Sequence, residues 1–379
     1  MQDLFDFIKA LYPYDVVPLH EPVFIGNEKK YLENCVDTTF VSSVGEYVTK
    51  FEQMMCDITG AKHAVAVVNG TCGLQIALEC SGLVRGQEVV TQSLTFVGTV
   101  NAISHAGGIP VFVDVERETM GMCPDALEKW LSENTKQAND KCVNKTTGNI
   151  VHAIMPVHIF GNPCLMDELC AVAKKYNVLV VEDSAESLGS ARDNKHTGTF
   201  GHAGVFSFNG NKIVTAGGGG CIVTDNEDLA KRMKHITTTA KQPHPYGFFH
   251  DEIAYNYRLT NLAAAMACAQ LENLNKFINV KKQVFEKYSE FNFNESVEVV
   301  GEPKNTNRNN WLNAIMVKDK SQRDKILNAA IAQNIHLRPI WTLMSDLPMY
   351  KDCQKGDLTN SIDFANRVIN LPSSANAKV

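Results

Sequence analysis

Three short segments of the sequence carry residue types that can do chemistry, and each follows or contains an apolar run. They are VVNGTCG at 67–73, VVEDSAESLGS at 180–190 and VFSFNGNKIVTAGGGG at 205–220. The first offers backbone N–H groups where a loop enters a predicted helix, which suits an anion such as phosphate. The second offers adjacent carboxylates, and the third offers a single lysine followed by four glycines.

The lysine of the third segment, Lys212, owes its chemistry to its surroundings. A lysine amine that is partly desolvated or lies near other positive charge can attack a carbonyl group. The glycines beside it would let the backbone approach a planar ligand closely, because they lack Cβ atoms. By itself, the segment is more typical of a surface lysine beside a flexible turn, since the chain has 36 Lys and Arg residues.

The other two segments also have alternative structural interpretations. Glu182 and Asp183 end a predicted strand, and side chains alternate along a strand, so we expect only one carboxylate to point into a site. Asp183 as a helix N-cap is an equally good interpretation, and Thr71 as the cap of a tight turn is the better one for its own segment. The spacing at 67–73 is neither that of a Walker A loop nor G-x-G-x-x-G.

The elements that must position these residues alternate between short apolar runs and helical patterns. Continuous Val- and Ile-rich runs, unlike alternating ones, indicate strands covered on both faces of a mostly parallel sheet. Ligands bind such sheets outside the carboxyl ends of the strands, where all three segments fall. The sequence predicts strands at 63–69, 88–93, 110–115, 150–158 and 178–183, and helices at 70–83, 96–107 and 165–177.

The pattern changes after about residue 250, where long amphipathic helices begin with the segment 261–291. The loop KQPHPYGFFHD at 241–251 is rich in Pro and His and is typical of a boundary. We therefore predict a large α/β domain over residues 1–250 and a smaller C-terminal α+β domain over 251–379.

Composition limits the classes of function. The net charge of -6 is spread without a long block of one sign, so we predict neither a nucleic-acid partner nor a membrane partner. The first residues are acidic, unlike a signal peptide, and no apolar run approaches the ~18 residues of a membrane span. The 11 cysteines include no C-x-x-C pair, which favours a reducing compartment and a cytoplasmic protein, and we predict no metal site.

One cofactor accounts for the three segments together better than any single segment suggests. Pyridoxal 5'-phosphate needs an anion site for its phosphate and a lysine for its aldehyde. It also needs a carboxylate that keeps its pyridine nitrogen protonated, so that the ring can accept electrons from a substrate carbanion. We therefore predict Lys212 and Asp183 as catalytic residues in a pyridoxal-phosphate enzyme.

The sequence resembles the DegT/StrS family of pyridoxal-phosphate sugar aminotransferases over nearly its whole length. The last matching segment is YNYRLTNLAAAMACAQL at 255–271, an Asn-Tyr-Arg segment in the family. The phosphate segment of the family matches Gly70, Thr71 and Cys72, and its stacking aromatic residue matches Phe96. Its Asp-x-x-Gln-like segment matches Asp183 and Glu186, and its Ser-Phe-x-x-x-Lys segment matches Ser207 and Lys212.

The resemblance implies the aspartate aminotransferase fold, called fold type I, in a homodimer whose active sites lie at the subunit interface. It implies that Ser207 binds the phosphate of its own subunit and that Asn256 reaches that of the neighbour. Many members have Gln where this chain has Glu186, which leaves open how the phenolic oxygen of the cofactor is contacted. Some members replace the lysine with His and are dehydratases, so Lys212 favours transamination.

The resemblance also implies substrates, namely L-glutamate and a nucleotide-linked keto sugar. The segments LRPIWTLMSDLPMY at 337–350 and RVINLPSS at 367–374 are similar to those of 4-aminotransferases of bacillosamine and legionaminic acid pathways. We therefore predict amination at carbon 4 of a UDP-linked 2-acetamido-2,6-dideoxy-4-keto-hexose. Arg338 is a candidate diphosphate contact, although a surface or ion-pair role is equally consistent with its sequence. The alternatives within the family are a GDP-perosamine synthase and a 3-aminotransferase.

Two alternatives come from other classes of protein. A nicotinamide-binding oxidoreductase is disfavoured because the glycine run precedes the strand-like segment GCIVTD and does not open a helix after a strand. A non-catalytic regulatory protein on the same scaffold is disfavoured by the presence of Lys212, Asp183 and Ser207 together.

Overall fold

The structure is a computed structural model, and it describes residues 2–293 and 295–379. The helices in these residues are α1 (Gln2–Leu11), α2 (Glu28–Asp37), α3 (Glu46–Thr59), α4 (Gly70–Cys80), α5 (Val97–His105), α6 (Pro124–Asn134), α7 (Met166–Tyr176), α8 (Glu227–Thr237), α9 (Asn261–Leu271), α10 (Leu274–Glu290), α11 (Lys320–Ile331) and α12 (Thr359–Arg367). The strands of the two larger sheets and of their short neighbours are β1 (His63–Val67), β2 (Glu88–Gln92), β3 (Ile109–Val113), β4 (Thr135–Ala138), β5 (Lys141–Asn144), β6 (Val151–Met155), β7 (Leu179–Asp183), β8 (Ala191–Arg192), β9 (Lys195–His196), β10 (Ala203–Ser207), β11 (Gly220–Thr224), β12 (Val297–Val299), β13 (Thr306–Asn307), β14 (Asn313–Val317), β15 (Arg338–Pro339) and β16 (Val368–Leu371).

The largest sheet has seven strands in the order β1-β11-β10-β7-β6-β2-β3. Strand β11 is antiparallel to both of its neighbours, whereas the strands from β10 to β3 pair in parallel. Consecutive parallel strands need a crossover. Helix α5 supplies it between β2 and β3 and α7 between β6 and β7, whereas β7 and β10 are joined by turns and the short strands β8 and β9. The prediction of a mostly parallel sheet is confirmed, with β11 as its antiparallel member.

Helices bury both faces of this sheet. On one face, Leu74 and Ile76 of α4 pack with Val205 and Ile222 of the sheet. On the other face, α3 and α9 pack on β10 and the loop after it, and the ring of Phe51 meets Phe208 edge-on at 5.0 Å between centroids. Burial on both faces explains why the strands are continuously apolar.

The smaller sheet is antiparallel, with the order β12-β14-β16-β15. Its apolar residues share a core with helices α1, α10 and α11, in which Phe5 and Ile8 from the start of the chain pack with Val284 and Ile315. The first helix therefore packs with C-terminal elements, and α9 packs with the large sheet. The division into domains at residue 250 stays a prediction.

The predicted elements of the large sheet are present, with ends that differ by up to three residues. The segment 261–291, for which the sequence predicts long amphipathic helices, contains two helices, α9 and α10. Between them, the side chain of Asn273 donates a hydrogen bond to the carbonyl of Ala269 at 3.2 Å, in competition with the helical pattern. Among the described residues, none of the helices is both long and apolar enough to cross a membrane.

Candidate active site

A cavity of roughly 360 Å³ opens where the parallel strands of the large sheet end. One side of it is closed by Trp311 and Trp341, which come after the last strand of the large sheet in the chain. The residues that line it are Asn69, Gly70, Thr71, Leu74, Thr95, Phe96, Gly98, Thr99, Val157, Asp183, Ala185, Glu186, Ser207, Asn209, Asn211, Lys212, Trp311 and Trp341.

The start of α4 forms one end of the cavity. Asn69 caps this helix by accepting a hydrogen bond from the N–H of Cys72 at 2.8 Å, so the cap is Asn69 and not Thr71. The N–H groups of Gly70 and Thr71 are the first two of the helix and have no intrahelical acceptor. A Cβ at Gly70 would lie 3.2 Å from the Cβ of Ser207, which shows how closely the hydroxyl-bearing residue approaches this loop. The arrangement suits a phosphate group.

Glu182 and Asp183 point to opposite sides of β7, as the alternation of strand side chains predicts. Glu182 faces away from the cavity and accepts hydrogen bonds from the N–H groups of Phe200 at 2.7 Å and Gly201 at 2.8 Å. It is also 3.1 Å from a ring nitrogen of His158. Glu182 therefore holds the loop before β10, and Asp183 is the carboxylate that faces the cavity.

Asp183 is buried, and both of its oxygens accept hydrogen bonds. Thr99 donates to one at 2.7 Å, and the N–H of Ala185 donates to the other at 3.1 Å. Burial raises the pKa of Asp183, and these hydrogen bonds together with the charge of Lys212 oppose that shift. A fixed, buried carboxylate of this kind fits a protonated ring nitrogen, with which it would form a charge-assisted hydrogen bond.

Lys212 lies in the same cavity, because β7 and β10 are neighbours in the sheet. Its Nζ is 3.3 Å from a carboxylate oxygen of Glu186 and 4.0 Å from the centre of the Trp311 ring. The Lys212 side chain is 12% exposed, so it is mostly shielded from water yet reaches the cavity.

The aromatic residue predicted to stack on a cofactor ring, Phe96, precedes α5 and lines the cavity. It is 55% exposed, which leaves the ring free to contact a ligand. Two further aromatic residues, Trp311 and Trp341, were missed by the sequence reasoning. The sequence feature that could have identified them is the rarity of tryptophan, since the chain has three tryptophans and two of them line this cavity.

Three predicted site residues lie outside the lining of the cavity. Cys72 is half-buried in the first turn of α4, and Asn256 is exposed and pairs with Thr238 in a short antiparallel bridge. Arg338 is exposed, and its guanidinium donates to the carbonyl of Leu337 at 3.0 Å. The roles of these three residues stay predictions.

The glycine run is outside the lining of the cavity, and its approach to a planar ligand stays a prediction. A Cβ at Gly220 would lie 2.6 Å from the carbonyl carbon and oxygen of Asn69. A Cβ at Gly218 would meet open space. The last glycine of the run therefore lets β11 pack against the backbone of the loop before α4.

Comparisons with known proteins agree with this geometry. A model of the DegT/DnrJ/EryC1/StrS aminotransferase family matches residues 24–378. A GDP-perosamine synthase of Escherichia coli O157:H7 is 36% identical over 94% of this chain and 93% of its own. The putative pyridoxal phosphate-dependent aminotransferase EpsN of Bacillus subtilis (strain 168) is 32% identical over 94% of this chain and 91% of its own.

A solved structure supports the fold. A DegT DnrJ EryC1 StrS aminotransferase from Brucella abortus superposes with a TM-score of 0.82 at 25% identity, covering 92% of this chain and 90% of the other. The predicted fold class, enzyme class and cofactor are confirmed, and the buried carboxylate, the lysine and the helix start fit that cofactor. The chain belongs to the DegT/DnrJ/EryC1/StrS aminotransferase family and is a pyridoxal-phosphate-dependent aminotransferase.

Proposed function

We propose that this aminotransferase moves an amino group from L-glutamate to carbon 4 of a nucleotide-linked 4-keto-6-deoxy sugar. The observation that carries the proposal is the meeting of Asp183, Lys212 and the start of α4 in one cavity. This cavity lies in a chain that is 36% identical to a protein named GDP-perosamine synthase.

Each part of the cavity has a role in the proposal. Gly70, Thr71 and Ser207 would hold the phosphate of pyridoxal phosphate, with Cys72 in the same first turn of α4, and Asp183 would hold the ring nitrogen. Phe96 would stack on the ring, and Glu186 would lie beside Lys212 near the aldehyde. When bound, the cofactor supplies an electron sink for the substrate carbanion.

Lys212 carries protons in the proposed reaction. It takes the proton from the α-carbon of L-glutamate in the first half-reaction and returns a proton to carbon 4 of the sugar in the second. Its Nζ lies inside the cavity and shielded from water, as proton transfer by a positioned group requires.

The wall made by Trp311 and Trp341 is the proposed site of the sugar, because flat aromatic surfaces pack on the apolar face of a sugar ring. Trp341 belongs to the segment 337–350, which resembles that of the bacillosamine and legionaminic acid enzymes. This supports a UDP-linked 2-acetamido-2,6-dideoxy-4-keto-hexose as the acceptor. The name of the relative at 36% identity supports GDP-linked 4-keto-6-deoxymannose instead.

The acceptor is tested with L-glutamate and a panel of 4-keto and 3-keto nucleotide sugars, followed by NMR of the products. We expect an amine at carbon 4 and a higher kcat/KM for the UDP-linked acetamido sugar than for the GDP-linked sugar. A preference for the GDP-linked sugar would assign the enzyme to perosamine synthesis. Amination at carbon 3, or of neither sugar, would contradict the proposed reaction.

We propose Arg338 as a contact of the nucleotide diphosphate. The support is that it is exposed and three positions before Trp341, and that a guanidinium can bind two phosphate oxygens at once. Arg338→Ala should raise KM for the nucleotide sugar and leave the reaction with L-glutamate unchanged. An unchanged KM would assign Arg338 to the surface only.

We further propose a homodimer in which Asn256 of each subunit reaches the site of its neighbour. The support is the family resemblance and an apolar surface on the loop before Asn256, where Tyr246, Phe248 and Ile253 are 86%, 81% and 96% exposed. Sedimentation at micromolar concentration should show a dimer. A mixture of Lys212→Ala and Asn256→Ala subunits should regain activity, since one hybrid site carries neither change. A monomer would contradict the proposal.

We place the reaction in the cytoplasm. The support is that all eleven cysteines lie within the described residues and are free. Free thiols persist in a reducing compartment. Fractionation of the producing cells tests this, and recovery of the enzyme outside the cytoplasmic fraction would contradict it.

A further inference from the structure

Glu186 is a buried carboxylate beside the lysine of the site, and its two oxygens have different partners. One oxygen accepts a hydrogen bond from the N–H of Phe160 at 2.8 Å. The other lies 3.3 Å from Nζ of Lys212. The side chains of Glu186 and Lys212 are only 5% and 12% exposed, so water stabilises the charged form of this pair poorly.

The carboxylate is fixed in this position by a strained backbone. Phe160 has a φ of 57°, in the left-handed region that bulky residues rarely adopt, and its N–H points at Glu186. The main-chain carbonyl of Glu186 accepts a second hydrogen bond, from the buried side chain of Asn309 at 2.9 Å. A strained backbone persists only where the surrounding structure holds it in place, so the Glu186 carboxylate that it contacts has a fixed position.

A glutamine could not make the same two contacts. Its amide has one acceptor oxygen and an NH₂ group that only donates, whereas Phe160 and Lys212 both present donors. One of them would face the NH₂ group. The contacts therefore use the second oxygen that distinguishes a carboxylate from an amide.

We propose that Glu186 is a catalytic base for Lys212, accepting the proton of its ammonium group. An N–H bond breaks at Nζ and an O–H bond forms on the facing oxygen, which leaves a neutral amine and a neutral acid without changing the charge of the pair. A neutral amine is the form that attacks carbonyl groups and takes protons from carbon. The proposal rests on the proposed function only in that Lys212 is the working amine.

The groups around the pair act in both directions. Burial raises the pKa of Glu186, and the charge of Lys212 opposes this, whereas Asp183 on β7 raises it further. His20, which lies toward Lys212 on the N-terminal segment, has its pKa lowered well below the usual value by burial and is neutral. The hydrogen bond from the N–H of Phe160 also lowers the pKa of Glu186. Burial and Asp183 therefore favour a proton on Glu186, and the charge of Lys212 and the N–H of Phe160 oppose it.

The test is trace labelling of the full-length protein with acetic anhydride, which reacts with neutral amines, over a range of pH around neutrality. It is done without cofactor and again with pyridoxamine phosphate bound, and the labelled peptides are quantified by mass spectrometry. Lys50 and Glu272 form a matched control, since their atoms are 3.0 Å apart but the two side chains are 42% and 28% exposed. The labelling rate of Lys50 should rise about tenfold per pH unit below its pKa.

For Lys212 we expect a rate that changes less than about twofold over the same interval, because Glu186 and not the solvent takes the proton. In Glu186→Gln the tenfold rise per pH unit should return. A rise for wild-type Lys212 that parallels Lys50, or a flat profile that survives in Glu186→Gln, would overturn the proposal. If this variant does not fold, the wild-type comparison of Lys212 with Lys50 decides. No sugar is used, so failure with every acceptor would contradict the proposed function and leave this result standing.

Discussion

Two parts of the cavity are built in different ways. We call Asp183, Ser207, Lys212 and the start of α4 the floor, and Trp311 and Trp341 the wall. Asp183 and Ser207 of the floor lie at the ends of two neighbouring strands of one sheet. Trp311 and Trp341 of the wall come from irregular segments beside the smaller sheet. In the proposed function, the floor carries the groups that act in both half-reactions, and the wall contacts the sugar. We therefore expect changes in the floor to abolish the chemistry and changes in the wall to alter the choice of sugar.

The largest effect is expected for Lys212→Ala. The variant should fold, because the side chain lies at the cavity and outside the hydrophobic cores. Loss of the proton carrier should lower kcat by about 10⁴-fold or more. Steady-state turnover and circular dichroism check this together. Turnover within tenfold of wild type would remove Lys212 from the chemistry and with it the contrast between floor and wall.

Asp183→Asn should have the next largest effect. The amide keeps the shape of the side chain and loses the charge that holds a proton on the ring nitrogen. We expect the half-reaction with L-glutamate to slow by about 10²- to 10³-fold, and the cofactor to be retained less well. Rapid-mixing absorbance of that half-reaction measures the first effect. If only the KM for the sugar changed, Asp183 would contribute to sugar binding, like the wall, and not to the chemistry.

Trp341→Ala should change the wall and spare the floor. We expect KM for the nucleotide sugar to rise roughly tenfold or more, as for the loss of an apolar contact of about 1–3 kcal/mol. The rate of the half-reaction with L-glutamate is the internal control and should stay within about twofold. An equal loss in both half-reactions would mean that Trp341 acts through Phe160, whose ring centroid lies 5.5 Å away, and the division would fail.

The smallest effect is expected on the stability of the protein, through the packing of β11 against the loop before α4. Gly220→Ala places a Cβ 2.6 Å from the backbone of Asn69, so we expect a loss of about 1–3 kcal/mol in the free energy of unfolding. Gly218→Ala meets open space and is the matched control. It should be neutral or gain about 0.4–1 kcal/mol through the unfolded state. Urea unfolding compares the two variants, and equal stabilities would contradict the role assigned to Gly220.

The sequence was sufficient for the floor because each of its residues belongs to a local pattern. A buried strand followed by a loop ends at the same edge of a parallel sheet as its neighbours, so Asp183, Ser207 and the start of α4 could be brought together from the order of elements. The alternation of strand side chains also separated Asp183 from Glu182 correctly, because this alternation is a property of the backbone.

The glycine run shows where local patterns stop being informative. The four residues have the same type, yet only the tertiary structure distinguishes Gly220, which packs against another backbone, from Gly218, which packs against nothing. The boundary between α9 and α10 is a similar case, since it lies at Glu272 and Asn273 and neither Pro nor Gly marks it in the sequence.

By itself, the sequence determined the sheet, the family and the residues of the floor, because those follow from periodicity and from short segments whose residues are neighbours in the chain. Only the tertiary structure decided that Trp311 and Trp341 close the cavity and that the Trp311 ring lies beside Lys212. The physical reason is that these contacts join segments far apart in the chain. Their distances depend on how the smaller sheet packs on the larger one, which no local pattern specifies.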